Sequence, residues 1–147
     1  MILTDSSAAN VGVTAVTAIA SATTAFRQFM CYLSTTISSA ITGAIGLEKN
    51  GIGTLTLTGV NTYAGATSIL AGSIIVPKTT GASTATATFS ANLSVSFNVS
   101  PPSGVTTFQF FPGTTTNTYA SVALSGVPVG TTATYNSAIS TLSVIVL

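Results

Sequence analysis

The fold of this chain is decided by residues 47–76, which read LEKNGIGTLTLTGVNTYAGATSILAGSIIV. Residues 54–58 (TLTLT) alternate polar and apolar side chains, which is the period of a half-buried β-strand. The glycine-containing triplets at 59–61 and 71–73 are typical of turns. The order strand, turn, short strand, turn, strand predicts either one rung of a parallel β-helix or one β-meander.

This segment resembles the β-helix repeat of autotransporter passenger domains. The pattern of that repeat is matched by Lys49, by the GIGTL strand at 51–55, by the GVNTYAG turn at 59–65 and by the Ala-Gly pair at 71–72. The resemblance implies a surface-exposed, non-catalytic β-solenoid segment, and it occurs once. One solenoid rung cannot bury both of its faces alone, so its neighbours must come from the rest of the chain or from other copies of it. We therefore expect a homo-oligomer, with a trimer as the first candidate.

Residues 79–147 contain no charged side chain. From residue 84 to residue 100 the alternation of apolar and polar side chains is unbroken, which predicts one half-buried strand or two strands joined by a bend. Turns rich in proline and glycine follow, and residues 131–135 and 141–147 are expected to pair as the last hairpin. This spacing predicts a small antiparallel immunoglobulin-like β-sandwich, with a missing strand supplied by residues 1–46 or by a neighbouring subunit.

Residues 1–46 have the weakest pattern. Phe26, Phe29, Met30 and Leu33 have the spacing of a helical stripe, but the same stretch also alternates as a strand. We predict strands here, with one short helix as the alternative, and an N-terminal arm at residues 1–25 that clasps a neighbour. The chain is thus predicted to be all-β, with an arm (1–46), a segment that is solenoid-like or a meander (47–78) and a small sandwich (79–147).

The composition excludes most enzymes. Only five side chains are charged, namely Asp5, Arg27, Glu48, Lys49 and Lys78, and histidine is absent. General acid–base catalysis needs titratable groups placed together, and nucleic-acid binding needs clustered Lys and Arg. We therefore predict no enzyme, no cofactor and no nucleic-acid partner. Hydrophobic residues make up 46% of the chain, so disorder is not indicated, and few surface charges favour an assembly over a soluble monomer.

Candidate chemical residues are few. Residues 81–85 (GASTA) resemble a nucleophile elbow only loosely, and Asp5 and Glu48 are the only carboxylates. Cys31 lies in an apolar run, which favours a buried structural thiol, and Glu48 with Lys49 is interpreted as a solvated surface pair. The phenylalanines at 108, 110 and 111 are expected in a core or a subunit interface. We predict no catalytic, cofactor-binding or metal-binding residue.

These observations favour a structural protein that works by assembling. The first hypothesis is a bacteriophage virion protein, either a capsid decoration (cement) protein or a short fibre, which contacts itself and a major capsid or other virion protein. It follows from the start at residues 1–5, which lacks the positive region of a secretory leader. The alternative is a secreted bacterial surface module, namely an autotransporter passenger-like fragment or a strand-exchanging filament subunit, with an extracellular or cell-surface location. No apolar window is long enough to predict a transmembrane helix.

Overall fold

The computed structural model describes residues 2–5, 11–13, 26–44 and 46–147. These residues contain no helix, so the predicted all-β class is confirmed. Their strands are β1 (Ile2–Asp5), β2 (Val11–Val13), β3 (Phe26–Cys31), β4 (Thr35–Ile37), β5 (Gly46–Asn50), β6 (Thr54–Leu57), β7 (Thr67–Ile69), β8 (Ser73–Thr80), β9 (Ser83–Phe89), β10 (Leu93–Val99), β11 (Gly104–Gln109), β12 (Val122–Ser125), β13 (Thr132–Asn136) and β14 (Thr141–Val146).

Strands β1 to β8 form what we call the parallel coil, in which the chain alternates between two sheets. The first sheet has the order β1-β3-β5-β7, and β2, β4, β6 and β8 pair side by side in the second sheet. All of these pairs are parallel. In the first sheet Leu47 pairs with Thr67, and in the second sheet Thr35 pairs with Leu55. Each two consecutive strands therefore make one turn that stacks on the turn before it.

The turn that contains β5 and β6 is stacked between two other turns of the same chain. Strands β3 and β4 lie on one side of it, and β7 and β8 lie on the other. Phe26–Cys31 is a strand rather than the alternative short helix, because parallel pairing with β5 satisfies its backbone groups. Within the predicted arm, Ile2–Asp5 and Val11–Val13 pair with β3 and β4 of the same chain. The rest of that arm, residues 1, 6–10 and 14–25, lies outside the described residues.

The second sheet continues into the C-terminal part, since β8 (Ser73–Thr80) crosses the predicted boundary after residue 78. Strands β9 and β10 extend it as antiparallel neighbours, but β12 pairs with β10 in parallel. This sheet is therefore mixed rather than antiparallel throughout, because β11 lies in a third sheet and β12 returns in the direction of β10. The third sheet, β11-β14-β13, is antiparallel. It confirms the predicted last hairpin.

One hydrophobic core runs from the coil into the C-terminal part. The inward residues of β9 and of β10 up to Phe97 are buried and alternate with more exposed polar residues, as the sequence predicts. The predicted alternation is wrong at Val99, which is exposed because the register with β9 shifts after Phe97. The ring of Phe89 lies 5.5 Å from that of Phe110 and 4.8 Å from that of Phe111, between centroids. Phe97 and Phe108 pair at 5.5 Å. Edge-to-face and tilted pairs of this kind add to the stabilisation from buried area, so these phenylalanines belong to the core of this chain.

Candidate functional site

The first candidate site is a lysine enclosed between two turns of the parallel coil. The Lys49 side chain is fully buried, at 0% exposure. Its Nζ donates hydrogen bonds to the carbonyl oxygens of Asn50 at 3.0 Å, Gly51 at 2.7 Å and Ala71 at 3.1 Å. These carbonyls lie at the corners that follow β5 and β7, so the ammonium group joins two stacked turns. The interpretation of Lys49 as a solvated residue is wrong, because the alternation of β5 directs it inward with Leu47.

The surroundings of Lys49 indicate a structural cross-link. Burial lowers the pKa of Lys49, because removal from water penalises the charged form, and the electrostatic influence of the neighbouring Cys31 partly opposes that shift. The three carbonyl oxygens use all three donors of the ammonium group. Cys31 is buried and forms no disulfide, as predicted for a structural thiol. In the part of the chain that the structure describes, no three His, Cys, Asp or Glu residues group as metal ligands would.

The second candidate site closes the outer edge of strand β7. Residues 114–117, which we call the edge cap, run along that edge, and Thr67 exchanges two backbone hydrogen bonds with them at 2.7 and 2.8 Å. The Asn117 side chain then imitates a peptide group. Its Oδ1 accepts from the N–H of Ile69 and its Nδ2 donates to the carbonyl of Ile69, both at 2.9 Å. The edge cap therefore occupies positions through which another strand would add to the first sheet.

A chain of buried hydroxyl groups holds the edge cap from behind. The Tyr135 hydroxyl lies 2.7 Å from Oγ1 of Thr115, which lies 2.7 Å from Oγ of Ser140. The Ser140 hydroxyl donates to the carbonyl of Gly113 at 2.5 Å, so Thr115 donates to Ser140 and Tyr135 donates to Thr115. Ser140 has a φ of 50°, which is uncommon for a residue with a side chain. The hydroxyl protons of Tyr135, Thr115 and Ser140 are all donated to hydrogen bonds. The arrangement therefore positions the edge cap rather than providing a nucleophile.

Replacing Asn117 tests the edge cap. We expect Asn117→Ala to lower the free energy of unfolding by about 2 kcal/mol, because two backbone groups of Ile69 lose their partner. Asn117→Asp keeps an acceptor for the Ile69 amide but places a carboxylate oxygen against the Ile69 carbonyl in place of the donor, so it should not restore the lost stability. Hydrogen exchange of the Ile69 amide should speed up in Asn117→Ala. Asn98→Ala, at an exposed position on β10, is the control, and unchanged exchange at Ile69 in Asn117→Ala would contradict the assignment.

Tyr119 predicts a specific response to alkaline pH. Its hydroxyl is buried without a hydrogen-bond partner among the described residues, and burial, aided by the charge of Tyr135, raises the pKa of Tyr119 to about 12. The unfolded chain has a tyrosine pKa of about 10, so the folded state holds this proton more tightly. The resulting stability is fully present below pH 10 and is lost as the pH rises through about 12.

The matching variant is Tyr119→Phe. At neutral pH we expect it to raise the free energy of unfolding by about 1 kcal/mol, since a buried hydroxyl without a partner is removed. Urea unfolding at pH 8 and at pH 11 should then show a smaller alkaline loss for Tyr119→Phe than for the unaltered chain. Lys49 titrates in both proteins with the opposite effect on stability, so it cancels in the comparison. Equal losses in the two proteins would show that Tyr119 does not cause the alkaline destabilisation.

The structure does not assemble the other sequence candidates into a site. Asp5 lies in β1 and Glu48 in β5, and these strands are separated by β3 in the first sheet. Residues 81–85 form the turn between β8 and β9 and the start of β9, whereas a nucleophile elbow requires a strand followed by a helix. Among the described residues, no helix has the length and apolar character needed to cross a membrane.

The chain is thus all-β, with Lys49 enclosed in the parallel coil and with the outer edge of β7 covered by the edge cap. Residues 47–76 match the family model of the passenger-associated-transport-repeat. The matched residues run from β5 into β8, and the match confirms the resemblance of this segment to the autotransporter passenger repeat. No curated protein and no solved structure matched the chain.

The matched family bears on the two functional hypotheses differently. The repeat points to a bacterial autotransporter passenger-associated module and suggests an extracellular or cell-surface location. This agrees with the alternative hypothesis from the sequence. The expected virion location, capsid role and trimer receive no support from it.

Proposed function

We propose that this chain is a non-enzymatic structural module of a secreted bacterial surface protein, in which the parallel coil is a segment of a passenger β-solenoid. The observation that carries the proposal is the position of the matched repeat. Residues 47–76 run from β5 into β8, and these strands pair in parallel register with neighbours inside the coil. A repeat that pairs with its own neighbours in this way suits a rigid stalk or spacer.

The two candidate sites support this role. Lys49 joins consecutive turns through three backbone carbonyls, which holds the coil together without a disulfide. The edge cap covers β7 at the C-terminal end of the first sheet, which protects the coil from adding strands of other chains. Both arrangements serve the mechanical integrity of a coil rather than the conversion of a substrate.

Surface display tests the proposal. Residues 1–147 would be placed between a secretion leader and an autotransporter translocator in a Gram-negative host. We expect the segment to become accessible to antibody on intact cells and to resist protease added outside them. Gly81→Ala, at an open turn, should be displayed equally well, whereas Gly72→Ala, in a crowded corner of the coil, should be displayed in a protease-sensitive form.

Retention of the segment inside the cell would contradict the proposal, provided that a known passenger is displayed by the same leader and translocator. The expected homotrimer stays a prediction and is tested separately by light scattering of the purified chain. A monomer would agree with a coil that stacks its own turns, and a trimer would show that further faces are covered by other copies.

A further inference from the structure

The outer face of the second sheet carries a regular array of hydroxyl groups. On β9 the side chains that point away from the core are threonines, and on β10 they are Ser94, Ser96 and Asn98. The coil strands β4 and β6 continue the same face with threonines, and β12 adds Ser125. We call this surface the threonine face, and its hydroxyl-bearing members are Thr36, Thr54, Thr56, Ser73, Thr79, Thr84, Thr86, Thr88, Ser94, Ser96 and Ser125.

The strand registers place these residues in straight rows. The first row crosses all seven strands of the sheet, and its hydroxyl-bearing positions are Thr36, Thr56, Thr88 and Ser94. Ile75 lies among them on β8, and Gly12 and Ala123 end the row on β2 and β12. A second row, two residues further along β9, crosses four strands and consists of Pro77, Thr86, Ser96 and Ser125. Positions in a row repeat at about 4.8 Å from strand to strand, and rows repeat at about 6.7 Å along the strands. The face is therefore a two-dimensional lattice in which short hydroxyl side chains lie on both sides of Ile75 and Pro77 of β8.

The chemistry of the lattice limits what it can recognise. Its described residues include no charged and no aromatic side chain, so it lacks what usually anchors a protein partner, an anion or a sugar ring. Threonine has a stiff χ1, so each position on β6 and β9 holds a methyl and a hydroxyl group at a fixed place. Each hydroxyl both donates and accepts hydrogen bonds. A shallow groove also follows β10 between Thr86 and Ser125, where water can lie in line.

We propose that the threonine face binds the surface of ice. Its two repeats hold hydroxyl groups at fixed intervals in two directions, so water bound to the threonine hydroxyls is ordered in two dimensions, as the surface of a crystal of water requires. The methyl groups between the hydroxyls order the remaining water around them. The lack of charge favours this occupant, since a charged side chain would bind water in an arrangement that ice does not contain. This inference does not depend on the route by which the chain is secreted.

Ice partitioning of the purified chain tests the proposal. Ice is grown slowly from a dilute solution on a cold surface, and the protein is measured in the ice and in the remaining liquid. We expect the unaltered chain to be enriched in the ice, whereas an inert protein is excluded from it. Thr86→Tyr and Thr88→Tyr, which place a bulky ring on the lattice, should lose the enrichment. Thr107→Tyr, at an exposed position on β11 of the third sheet, is the matched control and should keep it.

Circular dichroism and urea unfolding verify that each variant is folded. Thr88→Val, which nearly preserves shape and removes one hydroxyl, should reduce the enrichment even if the tyrosine variants do not fold. Exclusion of the unaltered chain from ice would overturn the proposal, and so would an equal loss in Thr107→Tyr. Binding to crystalline chitin or cellulose that Thr86→Tyr abolishes, without enrichment in ice, would assign the face to a polysaccharide and also overturn it.

Discussion

Lys49→Ala is expected to lower the free energy of unfolding by about 4 kcal/mol. The change leaves a cavity where a fully buried side chain stood, and deletions of this size cost about 2 to 5 kcal/mol. It also leaves the carbonyl oxygens of Asn50, Gly51 and Ala71 without the donor that joins them, and buried acceptors without a partner add to the loss. Urea unfolding followed by circular dichroism measures the difference.

Two further variants separate the causes of that loss. Lys49→Met fills most of the space and removes the buried charge, so it should destabilise less than Lys49→Ala. Lys78→Ala removes an exposed lysine on β8 and should change the free energy of unfolding by no more than about 0.5 kcal/mol. If Lys49→Ala behaved like Lys78→Ala, the link that Lys49 makes between two turns would contribute nothing to stability.

The alternation of side chains predicted faces well but not partners. Residues 84–100 alternate so regularly that the inward positions of β9 and β10 follow from sequence alone, except at Val99, where a shift of register exposes the side chain. Nothing in a period of two says which strand lies beside which. The alternation therefore could not predict the parallel pairing of β10 with β12. The same limit applies to β3, whose place in the parallel coil could not be predicted because its sequence lacks the glycine pattern of the repeat. It pairs with β5 all the same, since backbone hydrogen bonds between strands do not require those glycines.

The candidate sites were harder to predict than the fold. Lys49 occupies an inward position of β5, so its alternation with Leu47 was the signal that could have placed it inside. That signal was outweighed by the rule that lysine is almost never fully buried. Asn117 gave no signal, since its partner Ile69 is distant in sequence and an asparagine in a loop is ordinary turn chemistry. Sites made by side chains that replace backbone groups depend on tertiary structure.

Gly72→Ala is expected to destabilise the chain by about 4 kcal/mol or more, which is exceptional for the addition of one methyl group. Gly72 lies at the corner between β7 and β8 with a φ of +68°, a conformation that favours glycine. A Cβ there would lie 2.5 Å from the carbonyl oxygen of Gly51 and 2.7 Å from Nζ of Lys49, and it would also overlap the carbonyl of Gly53. Two of these neighbours are backbone of the preceding turn, so the stacked turns would have to separate.

Gly81→Ala is the matched control, because it separates backbone strain from crowding. Gly81 has a similar φ of +59°, but no atom lies within 4 Å of the Cβ that alanine would add. Its substitution should cost about 1 kcal/mol, which is the order of the conformational penalty alone. The difference between the two variants in urea unfolding then measures how closely the turns are stacked at this corner. If both variants lost the same free energy of unfolding, the turns of the coil would separate at this corner without cost. The contacts of Lys49 with the carbonyl oxygens at the same corner would then be too loose to join the turns.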